Sequence, residues 1–447
     1  MSTGQRGFQP VDEVVVDPRR ARVYEHGWQS WSPTSVLPAG ATSARPSLGW
    51  QQVMRFRPGS PLPVAGFQGE GLLVVDPGND GPVRTYAATD PGHDVPSIRA
   101  RLDGDRVMVS ADGATRLRAT WAGLGTALGH YGDDLRSSVA QAPLRPAPTV
   151  WCSWYHYFLD VTEADIVENA EAMARLDLPV DVVQVDDGWQ AEIGDWTAGS
   201  TRFPSLDRLA QRIHDTGRRA GIWLAPFIVG ERSALARDHP EWLLGDAGHN
   251  WDQRLSGLDL SHPGAQEHLW TAVRNMRDAG YDYFKLDFLY AGALPGARHG
   301  DLTGVQAYRV GLEVLRDAAG EESYLLGCGA PLLPSVGLVD AMRVSPDTYN
   351  PVVPEVSDDP LRGRAGVEAR AWQQGRLWVN DADALVVRPV FGLRREWADV
   401  VERYGGLRSF SDRVADLDDW GLGTVRRLLS SVPPPVPFVQ LPDAYPR

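Results

Sequence analysis

Four aspartates close apolar runs in this chain, and their positions suggest chemistry. Asp186 and Asp187 end the run DVVQVDDGW, Asp287 ends YDYFKLD, and Asp347 ends DAMRVSPD. Two carboxyls flanking one carbon centre are the minimal machinery for breaking a glycosidic bond. When configuration is retained, one acts as nucleophile and the other as acid and base, roughly 5 to 5.5 Å apart. Asp287 suits the nucleophile, because Lys285 at i−2 shares its strand face and a cation there keeps a carboxylate ionised. Lys285 is the single lysine among 44 Lys plus Arg, so a compact ammonium stands here in a chain that otherwise uses guanidinium. Asp347 follows Pro346, with Arg343 nearby, and is the candidate proton donor, a role that asks for weakly charged or buried surroundings. Either acid alone reads equally well as a cap or an ion-pair partner.

The adjacent pair Asp186 and Asp187 repels itself unless ligand hydroxyls or a metal fill the space between. The ten histidines form no HxH or HExxH spacing, so sugar hydroxyls are the expected partner rather than a metal. Trp31, Trp154, Tyr155 and Trp223 can supply ring faces to a sugar, although each alone reads more readily as a core residue. Cys328 lies in GCG, outside any CxxC or triad context, which argues against thiol chemistry.

Those residues need elements to carry them. Residues 1–145 are rich in Gly, Pro, Val and Thr, with short alternating runs such as GLLVV and RVMVSAD split by PGND and ADGAT. This predicts an N-terminal antiparallel, β-sandwich-like domain. The proline-rich QAPLRPAP at 141–148 marks the boundary. From 146 to 430 the texture alternates strand and helix. The predicted strands are TVWCSWYHY, DVVQVDDGW, GIWLAPF, YDYFKLDFLY, SYLLGCG, DAMRVSPD, RLWVNDADAL and LRSFSD. Thr162 is the expected N-cap of one helix, and Ser205 that of another running through Arg219 with Gly221 past its end. Eight such units predict a (β/α)₈ TIM barrel, whose strand ends share one rim and bring distant acids together. An open doubly wound sheet is the rival, but no glycine-rich phosphate loop follows the first strand. The segment 431–447 reads as a proline-rich tail, leaving little or no C-terminal β domain.

Composition narrows the partners. The formal charge of −14 comes without any Lys/Arg block, which excludes nucleic acid and anionic membrane and favours a small neutral molecule. Two cysteines, Cys152 and Cys328, a start MSTGQRGFQP without a secretory layout, and no long apolar run lead to the expectation of a soluble cytoplasmic enzyme. Nothing in the sequence fixes the oligomeric state.

Taken together, WCSWYHYF, VDDGW with GDW, GIWLAPF, YFKLDFLYAGALPG, LLGCGAPLLPSVG, MRVSPDT and WVNDAD occur in an order that resembles family 36 of the glycoside hydrolases. The resemblance covers about residues 145–430, with one further match, GWQSWSP at 27–33. It implies a retaining α-galactosidase without metal or organic cofactor, in which Asp287 is the nucleophile and Asp347 the acid/base. It further implies that Asp186 and Asp187 hold the C4 and C6 hydroxyls. Trp223, Lys285, Cys328 and Arg343 would line the same subsite with Trp154 and Tyr155, and Trp31 would reach in from the β domain. An α-N-acetylgalactosaminidase or an α-galactosyl transferase would use the same two acids. A non-catalytic carbohydrate-binding barrel is the remaining alternative, against which the paired acids and Lys285 argue.

Overall fold

The computed structural model describes residues 7–44, 49–139, 143–349, 361, 363–439 and 441. Part of the 141–148 connector and most of the segment after 439 therefore lie outside the described residues.

The N-terminal domain is a sandwich of two antiparallel sheets. Nine strands build it: β1 (Gln9–Val15), β2 (Arg22–Glu25), β3 (Ser35–Pro38), β4 (Phe67–Glu70), β5 (Leu72–Asp76), β6 (Val83–Ala88), β7 (Ser97–Asp103), β8 (Arg106–Ala111) and β9 (Thr115–Thr120). One sheet runs β1-β8-β7-β4 and the other β3-β2-β5-β6-β9. Alternate residues of β1, β2, β5, β7 and β8, such as Val14, Val23, Leu73, Ile98 and Val107, point between the sheets and form one apolar core.

The barrel strands are β10 (Thr149–Cys152), β11 (Val182–Val185), β12 (Arg219–Leu224), β16 (Tyr281–Leu286), β17 (Tyr324–Gly327), β18 (Ala341–Arg343), β19 (Val379–Asp381) and β20 (Arg408–Phe410). They pair in parallel in the order β19-β18-β17-β16-β12-β11-β10-β20. Bridges from Asp381 to Leu407 and from Leu385 to Phe410 bring the two ends together, so the ring is nearly closed. Seven of the eight strands read from the sequence contain one of these, and GIWLAPF overlaps β12, which begins two residues earlier at Arg219. The strand residues are almost all buried because both faces are covered, by helices outside and by packed side chains inside.

Period-2 alternation stacks the interior in layers. Val150, Val182, Tyr283, Tyr324, Ala341, Val379 and Leu407 form an apolar floor, with the Tyr283 and Tyr324 rings stacked at 5.9 Å. Two residues further along, the layer is polar and buried: Cys152, Gln184, Lys285, Arg343 and Asp381. Asp186, Asp287 and Cys328 follow at the rim. The floor excludes water from below, so the polar layer faces only the rim.

Helix ends follow their local chemistry. Thr162 and Asp165 form a capping box on the helix Glu163–Arg175, and Thr303 and Gln306 do the same for Gly304–Ala319. The helix after Ser205 departs from expectation. The Ser205 hydroxyl donates to Asp207 and does not cap the helix. The helix spans only Leu206–His214, because Gly217 at φ +78° turns the chain. Arg219 and Gly221 therefore belong to β12. A three-stranded antiparallel insert, not anticipated from the sequence, sits between β12 and β16: β13 (Ile228–Gly230), β14 (Leu243–Asn250) and β15 (Gln253–Leu258).

The two domains share one core. Tyr24, Trp28, Leu72 and Val74 of the sandwich pack with Leu128 and Tyr131 of the helix Leu124–Ser138 and with Trp372 beside the barrel. Trp372 donates its indole N–H to the Tyr24 hydroxyl at 3.0 Å. Among the described residues, no helix is long and apolar enough to cross a membrane.

Candidate active site

A cavity of about 410 Å³ opens at the C-terminal rim of the barrel, where this architecture builds its sites. Asp186, Asp187, Trp223, Lys285, Asp287, Asp347, Trp154 and Trp31 all line it. Five barrel strands and the sandwich domain thus deliver eight of the eleven candidate residues to one space. Tyr155, Cys328 and Arg343 are buried just behind the wall and bond to residues near or in it.

Asp287 follows β16 directly. Its carboxyl accepts the Trp223 indole N–H at 3.0 Å and the Phe288 backbone N–H at 2.8 Å, and the Cys328 thiol bonds to it as well. Burial raises its pKa above the usual carboxylate range, while Lys285, Trp223 and Cys328 pull it down and Asp347 pushes it up. Lys285 was expected to pair with Asp287. Its ammonium instead lies 2.9 Å from Asp186 and acts on Asp287 through space. The reason is geometric: Lys285 and Asp287 are successive inward residues of one strand, whereas Asp186 on β11 leans across the barrel toward the ammonium.

That pairing also corrects the reading of Asp186 and Asp187 as mutually repelling acids with little to neutralise them. Asp186 takes the charge of Lys285, and the Gln184 amide and Cys152 thiol donate to the same oxygen. Asp187 has no cation beside it among the described residues. It accepts the Gln190 amide at 2.7 Å and the Trp251 indole N–H at 2.8 Å. Burial pushes its pKa up to about 7, with Asp186 and Asp287 adding to the rise and the two hydrogen bonds opposing it. The outcome is a pair of neighbouring carboxyls of different character, one salt-bridged and one poised to exchange a proton near neutrality.

Asp347 lies in the loop after β18, four residues past Arg343, whose guanidinium reaches it at 3.0 Å. Trp31 enters from the sandwich through the turn Gly27–Thr34. Its ring meets Phe288 edge-on at 5.0 Å and Tyr290 at 6.1 Å. Gly329 makes room for it: a Cβ there would lie 2.7 Å from the indole, and φ is +52°.

Several lining residues were not singled out from the sequence: Trp50, Met54 and Arg55 of the short helix Gly49–Arg55, Phe158 and Leu159 after β10, and His249, Asn250 and Trp251 at the tip of the β14–β15 hairpin. Phe288 and Pro346, each beside a candidate acid, complete the wall. Adjacency to the acids was an available signal for these last two. The hairpin offered none, because β14 carries exposed polar residues without alternation. Among the described residues, no cluster of three His, Cys, Asp or Glu side chains is arranged to hold a metal ion.

The melibiase family model matches residues 119–307. The bifunctional α-galactosidase/sucrose kinase AgaSK of Mediterraneibacter gnavus is 32% identical over 166 residues, 33% of this chain and 17% of that protein. α-Galactosidase AgaA of Geobacillus stearothermophilus is 31% identical over 206 residues, 42% of this chain and 28% of that protein. The matches thus span less than a third of these relatives' own lengths. Among solved structures, TtGalA, an α-galactosidase from Thermus thermophilus in complex with p-nitrophenyl α-D-galactopyranoside, superposes with a TM-score of 0.80 at 28% identity, covering 97% of this chain and 91% of that one. The family match falls on the first half of the barrel, where the paired acids and the candidate nucleophile reside, and the structural match extends over nearly the whole chain: over these residues the chain is similar to the melibiase family, and in fold it is similar to α-galactosidases.

Proposed function

We propose that this chain is a retaining exo-α-galactosidase that hydrolyses terminal α-D-galactosyl groups from small α-galactosides. One observation carries the reading: Asp287, Asp347 and the Asp186–Asp187 pair all open onto one cavity whose remaining wall is largely aromatic. Two acids supply the two displacements, and the carboxyl pair supplies hydroxyl acceptors. TtGalA, with which the chain shares 28–29% identity, is described in complex with an aryl α-galactoside and with stachyose.

In the first step the Asp287 carboxylate, oriented by the Trp223 and Phe288 N–H groups, attacks the anomeric carbon. Asp347 gives its proton to the departing oxygen. A covalent galactosyl ester on Asp287 results, with inverted configuration at that carbon. In the second step Asp347, now a carboxylate, takes a proton from water, which displaces Asp287 and restores the original configuration. Asp186 and Asp187 accept hydrogen bonds from sugar hydroxyls at the closed end of the cavity, and the rings of Trp31, Trp154 and Trp223 pack on its C–H faces.

The test is Asp287→Ala. Its turnover of p-nitrophenyl α-D-galactoside should fall by several orders of magnitude, and added azide should restore turnover with β-galactosyl azide as product. Undiminished turnover, or azide rescue giving no azide adduct, removes the nucleophile assignment.

A further inference from the structure

Asp383 closes the WVNDAD stretch after β19 and is buried at 4% exposure. It does not line the cavity, and neither displacement uses it. Its backbone nevertheless sits at φ +99°, a conformation that a non-glycine residue keeps only where its surroundings over-determine it. Those surroundings are three donors on one oxygen. Asp383 Oδ2 takes Arg343 Nη2 at 2.7 Å, the Thr348 backbone N–H at 2.8 Å and the Tyr155 hydroxyl. Oδ1 accepts the Ala384 backbone N–H at 2.7 Å.

The same Arg343 nitrogen also reaches Asp347 Oδ1 at 3.0 Å. One guanidinium is therefore shared between two carboxyls, one sealed in the protein and one facing the cavity. A buried arginine with a single carboxyl partner fixes that partner as an anion, and an anion cannot protonate a leaving group. A second carboxyl removes this obstacle where it is itself charged: burial, Asp347 and Asp381 push Asp383 up to about 6 against the pull of Arg343 and the Tyr155 hydroxyl, so it is an anion above that pH. The Thr348 N–H adds a mechanical link, since it pins the residue directly after Asp347.

We propose that Asp383 is a positioning residue for the acid/base: it balances the charge of Arg343 so that Asp347 can carry a proton, and it anchors Thr348 so that Asp347 faces the cavity. The inference rests on the assignment of Asp347 as acid/base made above.

The other groups around the cluster do not take over this role. Tyr155 is held neutral by burial and by Asp347 and Asp383. Cys328 is likewise held as a thiol, by burial and by Asp287. Arg388 spends its charge on Asp412 at 2.7 Å and reaches Tyr155 only through the backbone carbonyl. Asp381 faces both Arg343 and Lys285 and accepts the Asp383 N–H. Asp383 is the carboxyl in direct contact with the Arg343 nitrogen on the side away from the cavity.

The experiment compares Asp383→Asn and Asp383→Glu with the unaltered chain on two substrates, p-nitrophenyl α-galactoside, which leaves without much protonation, and methyl α-galactoside, which needs it. Asparagine keeps the shape and an acceptor for Thr348 but loses the charge; glutamate keeps the charge. For Asp383→Asn the alkaline limb of kcat/KM on the methyl galactoside should move down by about one pH unit, with about tenfold loss on its falling side, and the aryl galactoside should lose far less. Asp383→Glu should keep the limb in place, at reduced kcat. An unmoved limb in Asp383→Asn, or equal losses on both substrates, overturns the proposal. Should the asparagine variant not fold, a shifted limb in Asp383→Glu overturns it equally. An unaltered chain inactive on both substrates overturns the functional reading instead.

Discussion

Asp187 is the residue whose behaviour departs furthest from what its sequence position announces. The sequence places it at a strand end beside a second acid, which was enough to mark it for hydroxyl binding. What could not be read was that Lys285 goes to Asp186 at 2.9 Å, since an ion pair across a barrel interior depends on which strands face one another. With no cation beside it among the described residues, Asp187 titrates at about 7. The sign of the consequence follows from linkage. A sugar hydroxyl donates to a carboxylate, so ligand binding favours the charged form and must expel the proton that Asp187 holds below its pKa. Galactose affinity should therefore be pH-independent well above pH 7 and weaken by up to about tenfold per unit below it. Calorimetry at pH 6.5 in two buffers of different ionisation enthalpy should show proton release on binding, and Asp187→Asn should abolish it while weakening affinity. Equal heats in both buffers for the unaltered chain would refute this assignment. The raised pKa also bears on folding. The folded chain holds a proton between about pH 4 and 7 that the unfolded chain has released, so this residue costs stability as pH rises through that window.

At the scale of elements, the eight barrel strands were legible because a parallel strand buried on both faces is a short, mainly apolar run, here often ended by an acid. The β14–β15 hairpin was not legible, because its sequence obeys neither a two-residue nor a 3.6-residue period and its purpose lies at its tip. Trp251 and Asp252 form that two-residue tip with φ of +50° and +52°, the left-handed pair that a tight hairpin turn demands and that Asn-Gly would satisfy without strain. A tryptophan persists there because its indole N–H reaches Asp187 at 2.8 Å and its ring packs on Phe288 at 4.8 Å. The two tip positions therefore differ in what they contribute to binding. Asp252→Gly relieves left-handed strain of about 1 kcal/mol and should raise the calorimetric unfolding midpoint slightly with kcat/KM unchanged. Trp251→Phe keeps a ring but removes the hydrogen bond to Asp187, worth about 1.5–3 kcal/mol when that carboxyl is charged, and should raise KM for galactosides by about tenfold together with a lower midpoint. A Trp251→Phe enzyme with unaltered KM would show that the hairpin merely covers the barrel.

For the whole molecule, the question is what makes a sandwich domain part of a barrel's site. The change of texture near residue 145 leads to the expectation of two domains, but a contact between the N-terminal sheets and the barrel was legible only as a single expectation about Trp31. The structure supplies the reason that tryptophan is held in place. Arg370, fully buried beside the barrel, donates to the carbonyls of Gln29 at 3.1 Å, Ser30 at 2.8 Å and Ser32 at 2.8 Å, and to the Thr34 hydroxyl at 2.7 Å, while also holding Val344 O at 2.7 Å. Ser30 and Ala330 exchange further bonds across the same seam. One side chain thus fixes the turn that carries Trp31 and the strand end that leads to Asp347. Replacing it with methionine fills the volume but strands four carbonyls and a hydroxyl without their donor. Removing one partner from a buried charged network of this kind costs about 3–5 kcal/mol. Arg370→Met should therefore lower the unfolding midpoint by several degrees and, at temperatures where it remains folded, raise KM because Trp31 is no longer aimed into the cavity. Trp31→Ala separates the two effects: it should raise KM without a comparable drop in the midpoint. If Arg370→Met melted early yet bound galactosides normally, the seam would be a structural joint alone, and the sandwich would contribute Trp31 without needing Arg370 to place it.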